Sequence, residues 1–126
     1  MFGKKKEKLP GTITNHYEGL PGFRQDFPCG MEVKENMVSF TNSEGAVVNL
    51  PIEKITMIDW MKEEQFMGKY HNNPVNTSKT NAIKWFSVIS YNSNGEDKYI
   101  ALWDVASKTR SELEKIHVAP QGEITL

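Results

Sequence analysis

The segment from Val105 to His117 is the feature that most restricts the fold of this chain. It has few strand formers and no Gly or Pro, and the preceding Asp104 can accept hydrogen bonds from the free backbone donors of a starting helix. Apolar positions recur at steps of three and four, and they are Leu102, Val105, Thr109, Leu113 and Ile116. Lys108 and Glu112 form a pair on the solvent side. We predict one amphipathic C-terminal helix that lies across a sheet.

The chain before this helix is patterned as short β-strands separated by turns. The turn Asn92-Ser93-Asn94-Gly95 is a strong hairpin signal, and Pro51 ends the fourth strand because proline cannot donate to a ladder. Strict alternation in the fifth strand places Ile58 and Trp60 on the face opposite to its odd-numbered residues. The seven candidate strands are 12–17, 31–33, 37–40, 46–50, 55–61, 83–91 and 98–103.

Two segments are too rich in backbone breakers to form long regular elements. Gly and Pro crowd residues 19–30, which places Cys29 in a turn between Pro28 and Gly30. Residues 62–81 are polar and contain the breakers Asn72-Asn73-Pro74. An ordinary short connection does not need so long a polar, breaker-rich segment. We predict a long, mobile loop over 62–81.

Length and charge indicate one soluble domain without a global electrostatic field that attracts polyanions, so a polyanion partner would need a local basic patch. At 126 residues the chain suits a single domain, assigned to 12–117, with a flexible basic tail over 1–11 and a second tail over 118–126. The net charge of −1 supplies no global field for nucleic acid. The absence of a signal-peptide pattern and of a long apolar window predicts a cytoplasmic protein.

The order of elements resembles the pleckstrin-homology-like (PH-like) superfold, and in particular its uncharacterised bacterial members. The likeness spans about residues 12 to 117 and is carried by residues 50–58, the hairpin from Ser87 to Leu102, and the helix start at Asp104-Val105-Ala106. It implies a mainly β fold with one C-terminal helix: a bent antiparallel sandwich or barrel of about seven strands capped by the helix. The superfold hosts many unrelated functions, so the resemblance supplies no activity.

No catalytic, metal or cofactor motif is present in the sequence. Cys29 is the single cysteine, and the three possible bases, His16, His71 and His117, lie far apart without a surrounding signature. Neither glycine pattern for nucleotide phosphates occurs. We expect a protein that is not an enzyme and that has no cofactor or metal.

A non-catalytic interaction domain is therefore the leading prediction, with an unknown protein, a peptide or a second copy as the partner. The resemblance implies a groove between the fifth strand and the terminal helix, which Ile58, Trp60, Leu113 and Ile116 would line and which could accept an extended peptide. Aromatic residues at the long loop, Phe66 and Tyr70, could anchor the partner.

Two alternatives stay open. The first is contact with an anionic membrane surface through the N-terminal tail, whose contact residues would be Phe2, Lys4, Lys5, Lys6 and Lys8. The second is a small-ligand-binding barrel or a hydrolase, which would need a pocket where a perturbed carboxylate or histidine meets another polar group.

Overall fold

The computed structural model describes residues 9–77 and 81–118, and it forms one antiparallel sheet with two helices. The spatial strand order is β4-β3-β2-β1-β7-β6-β5. The predicted mainly β fold with a C-terminal helix is confirmed. The elements are β1 Thr12–Glu18, β2 Phe27–Val33, β3 Met37–Asn42, β4 Val47–Pro51, β5 Ile55–Lys62, α1 Glu63–His71, β6 Trp85–Ser93, β7 Glu96–Asp104 and α2 Lys108–Leu113, with a 3₁₀ turn at Ile52–Lys54.

Two meanders, β1–β4 and β5–β7, are joined where the first strand pairs with the last. Asn15 lies opposite Trp103 and His16 opposite Leu102, and the register shifts before Glu18. Leu50 of β4 and Ile55 of β5, from the two ends of the sheet, share one buried cluster. The sheet therefore curves around a common core, and its two end strands, β4 and β5, do not pair with each other within the described residues.

The predicted hairpins are confirmed, and for the β6–β7 hairpin the turn residues explain the connection. The β6–β7 turn has Asn94 at φ 54° and Gly95 at φ 83°, the left-handed pair that a two-residue hairpin connection requires. The β2–β3 pairing runs from Cys29 opposite Asn42 to Val33 opposite Val38. Pro51 ends β4 as predicted, at the last residue paired with β3.

The C-terminal helix covers the buried cluster that contains Leu50 and Ile55, which we call the inner cluster. The helix is shorter than predicted. Thr109, Leu113 and Ile116 are buried, whereas Val105 is 55% exposed because residues 105–107 form a turn before α2 begins. Asp104 does bond to free backbone N–H groups at the helix start. Its carboxylate accepts hydrogen bonds from the Ser107 amide at 3.1 Å and from the Thr109 amide at 2.9 Å. The helix lies against β1, β2 and β7.

The predicted loop over 62–81 is wrong in its first half, where α1 forms. In the sequence, the apolar residues of α1 are scattered among polar ones. They are stabilised by packing on a surface that forms only when the chain folds. Phe66 is fully buried, and its ring stacks on Phe86 of β6 with ring centroids 4.5 Å apart. The helix ends at His71. The next residue, Asn72, is its C-terminal cap, and its φ of 52° is the left-handed conformation typical of that position.

Two further local predictions are corrected by the pairing of β2 and β5. Cys29 does not lie in a turn but inside β2, fully buried. In β5 a register irregularity between Ile55 and Met57 breaks the alternation, so Ile55 joins Ile58 and Trp60 on the inner side. Met61 belongs to the outer cluster with Phe66 and Phe86.

Candidate functional site

The structure divides the six predicted binding residues between two faces of the sheet. Ile58 and Trp60 of β5 pack against the inner cluster that contains Leu113 and Ile116. Leu113 is 1% exposed and Ile116 is 8% exposed, so both are core residues and neither offers surface to a partner. Of these four, Trp60 borders a cavity.

Phe66 and Tyr70 lie on α1, on the outer face, and form a separate cluster. Phe66 has no exposed surface, and its ring is surrounded by Tyr17, Tyr70 and Phe86. Tyr70 packs on Tyr99 with ring centroids 4.7 Å apart. These aromatic residues fasten α1 to β1, β6 and β7, and they do not share a groove with Trp60.

A cavity of about 120 Å³ opens between the last strands and the start of α2. It lies where Trp60 of β5 is directly opposite Ser87 of β6, and where Trp85 of β6 is opposite Asp104 of β7. Its lining residues are Trp60, Trp85, Ser87, Asp104, Ser107 and Arg110. The Arg110 guanidinium stands over the Trp60 ring, 4.9 Å from its centroid, and so links α2 to β5.

Polar groups in this cavity differ in how well they are satisfied. The Asp104 carboxylate accepts three hydrogen bonds from the chain, two from Thr109 and one from Ser107. The buried indole nitrogen of Trp60 has no hydrogen-bond partner among the described residues. An unpaired buried donor is uncommon in folded proteins.

Sequence reasoning named Trp60 but missed Ser87, Ser107 and Arg110 as companions. No local motif links them, because they come from three elements that meet only after folding. Asp104 was identified from the sequence as the residue before the helix, but not as part of a site. The one usable signal was position in the chain, since Asp104 ends β7 at the predicted helix start and Ser107 and Arg110 follow it directly.

A second polar cluster ties the end of α1 to β1. The Tyr99 hydroxyl donates a short hydrogen bond to the Glu18 carboxylate, and His71 Nε2 lies 2.9 Å from the same carboxylate oxygen. Burial is the main cause that raises the pKa of the Tyr99 hydroxyl, and the hydrogen bond to Glu18 raises it further. The phenol therefore stays protonated at neutral pH, and the cluster holds α1 in place as a network of hydrogen bonds.

The candidate nucleophile and bases named from the sequence are not among the residues that line the cavity beside Trp60. Burial raises the pKa of the Cys29 thiol to about 12, which keeps it protonated and unreactive. Burial also lowers the pKa of His16, whose Nε2 accepts from the Leu20 amide while Nδ1 faces the Arg24 carbonyl oxygen. Both ring nitrogens thus shape the β1–β2 connection. His117 is exposed after α2.

The N-terminal residues predicted to contact a membrane surface lie outside the described residues, and they are Phe2, Lys4, Lys5, Lys6 and Lys8. Within residues 9–77 and 81–118, no three His, Cys, Asp or Glu side chains come together as metal ligands. No helix in the described part of the chain is long and apolar enough to cross a membrane.

Comparison with protein-family models, with curated proteins and with solved structures finds no match for this chain.

Proposed function

We propose that this domain is a non-catalytic interaction module that binds an extended segment of a partner protein as an added strand along β5. The observation that carries the proposal is the position of β5 at the end of the sheet, with α2 bridged to it by Arg110 over Trp60. A strand at the end of a sheet has one row of backbone groups without ladder partners, and these can pair with another chain.

The surroundings of β5 support this choice over the other end of the sheet. β5 has 8 residues, whereas β4 has 5 residues and ends in Pro51, which has no backbone N–H to donate. A longer edge offers more backbone hydrogen bonds, and a cavity next to it can receive a side chain of the added strand. The arrangement of seven strands and a closing helix also supports the proposal that the domain is PH-like.

The test uses peptides selected from a random library on the immobilised domain. We expect binding to slow hydrogen exchange at alternate amides of β5 while the β4 amides keep their rates. Each selected peptide is then made in two forms, N-methylated at every second residue in one phase or in the other. Only alternate amides of an added strand face its neighbour, so one phase should abolish binding and the other should preserve it. Equal binding of the two forms, or protection elsewhere, would refute strand addition.

A further inference from the structure

We propose that the Asp59 carboxylate gates the open edge of β5, so that a partner strand binds along this edge only by displacing the carboxylate from the Trp60 amide. This inference rests on the proposed function, because it concerns the regulation of the same edge. Asp59 lies in β5 itself, and its Oδ1 accepts a hydrogen bond from the backbone amide of Trp60 at 2.9 Å. The gate is therefore part of the strand with which the partner would pair.

The Trp60 amide faces away from β6, so it belongs to the edge that a partner strand would use. In an antiparallel pair, only alternate residues of a strand bond to a given neighbour. Glu63, one residue beyond β5, donates its amide to the Lys84 carbonyl oxygen at 3.2 Å, across the β5–β6 pair. Two residues earlier, Met61 has the same orientation toward β6. The amides of Trp60 and Lys62, which alternate with Met61, consequently point to the open edge.

Side chains of the same chain cap both of these edge amides. The Asp59 carboxylate accepts from the Trp60 amide, and the Gln65 side-chain oxygen accepts from the Lys62 amide at 3.0 Å. Each backbone N–H is a single donor, so the cap and the carbonyl oxygen of an added strand compete for it. Charged side chains at a sheet edge are one means by which proteins prevent uncontrolled strand pairing. A partner must therefore displace a cap that is already in place.

The Asp59 carboxylate has another partner nearby when it leaves the Trp60 amide. Its Oδ2 lies 3.8 Å from the Lys69 ammonium of α1, and both side chains are in contact with solvent. A carboxylate released by a partner strand therefore stays close to a cation and to water, and no buried charge is left unpaired. The gate can open in this way without a rearrangement of β5 or α1.

The experiment selects peptides from a random library on two immobilised proteins, wild type and Asp59→Ala. Peptides that slow amide exchange in β5 should bind Asp59→Ala about three- to tenfold more tightly, because they no longer compete with the cap. In the free protein, exchange of the Trp60 amide, followed by NMR, should become faster by a similar factor. Asp59→Asn keeps an acceptor oxygen and should fall between the two proteins. The matched control Glu64→Ala removes a carboxylate from an exposed position of α1 and should behave as wild type does.

The outcomes separate the gate from the proposed function. Peptides that slow exchange in β5 of wild type but bind Asp59→Ala no more tightly overturn the gate and still support strand addition. Peptides that add to β5 only in Asp59→Ala support the gate and refute strand addition to the wild-type domain. If no peptide selected on either protein protects β5, both proposals fail. An unchanged exchange rate of the Trp60 amide in free Asp59→Ala also overturns the gate.

Discussion

At the scale of single residues, Glu112 fastens α2 to the first two strands. Its carboxylate accepts the Val33 amide at 3.1 Å, the Thr12 hydroxyl at 3.4 Å and the Lys115 ammonium at 2.8 Å. The sequence placed Glu112 on the solvent side in a pair with Lys108, and this was wrong, because its side chain is 14% exposed and bonds to β1 and β2. Burial acts to raise its pKa, but the hydrogen bonds from Lys115 and Val33 outweigh it and the pKa is lowered.

We expect Glu112→Gln to lower the free energy of unfolding by about 1 to 2 kcal/mol at pH 7, because hydrogen bonds to a charged group are lost. The carboxylate stabilises the fold fully above its unfolded pKa, near 4.5, and this contribution disappears as pH falls through the lower folded pKa. Urea denaturation of both proteins between pH 7 and pH 3 measures the difference, which should shrink only below about pH 5. In the control Glu114→Gln, an exposed ion pair is removed, and a loss of no more than about 0.5 kcal/mol is expected. A gap between wild type and Glu112→Gln that is unchanged at pH 3 would contradict the assignment.

At the scale of elements, α1 and the segment after it are held together by Glu63. This residue is 4% exposed, and its carboxylate accepts the Thr77 amide at 2.8 Å and the Thr77 hydroxyl at 2.6 Å. Lys84, just before β6, lies 3.9 Å from the same carboxylate and 2.9 Å from the Thr77 hydroxyl. One buried carboxylate thus fixes the start of α1, the end of the 72–77 segment and the entry to β6.

We expect Glu63→Gln to loosen the 72–77 segment, because the uncharged amide cannot accept from Thr77 and pair with Lys84 as strongly as the carboxylate does. Limited proteolysis should cut residues 72–77 several-fold faster than in wild type, and amide exchange should speed up there. Glu64→Gln is the matched control, since Glu64 is an exposed neighbour on the same helix. Equal cleavage rates in the two variants would show that the contact with Thr77 does not restrain the segment.

Elements set by local chemistry could be predicted from the sequence, whereas those set by distant partners could not. Asn94-Gly95 dictates its own turn, and so the β6–β7 hairpin was predicted. By contrast, α1 depends on Phe86, twenty residues or so along the chain from Phe66, and the change of faces in β5 depends on how β6 pairs with it. The candidate site divides in the same way. Trp60 stood out by residue type, but Ser87 and Arg110 become its neighbours only through the fold.

At the scale of the whole molecule, the pairing of β1 with β7 makes the two meanders depend on each other. The buried Thr109 hydroxyl of α2 donates to the Asp104 carboxylate of β7 at 2.9 Å, and its oxygen lies 2.8 Å from the Thr14 hydroxyl of β1. Thr14 Oγ1 in turn donates to the Trp103 carbonyl oxygen at 3.2 Å. This network lies on the seam between the meanders, so its loss should be felt in both.

We expect Thr109→Val, which keeps the shape of the side chain but removes its hydroxyl, to lower the free energy of unfolding by about 1 to 3 kcal/mol. All three tryptophans lie on β5, β6 and β7, so their fluorescence reports one meander, while far-UV circular dichroism reports the whole sheet. If the seam couples the meanders, both signals shift to lower denaturant by the same amount and still coincide. Ser111→Ala, exposed on the same helix, should change stability by no more than about 0.5 kcal/mol. Separate midpoints for the two signals in Thr109→Val would mean that each meander unfolds by itself and that the seam does not unite them.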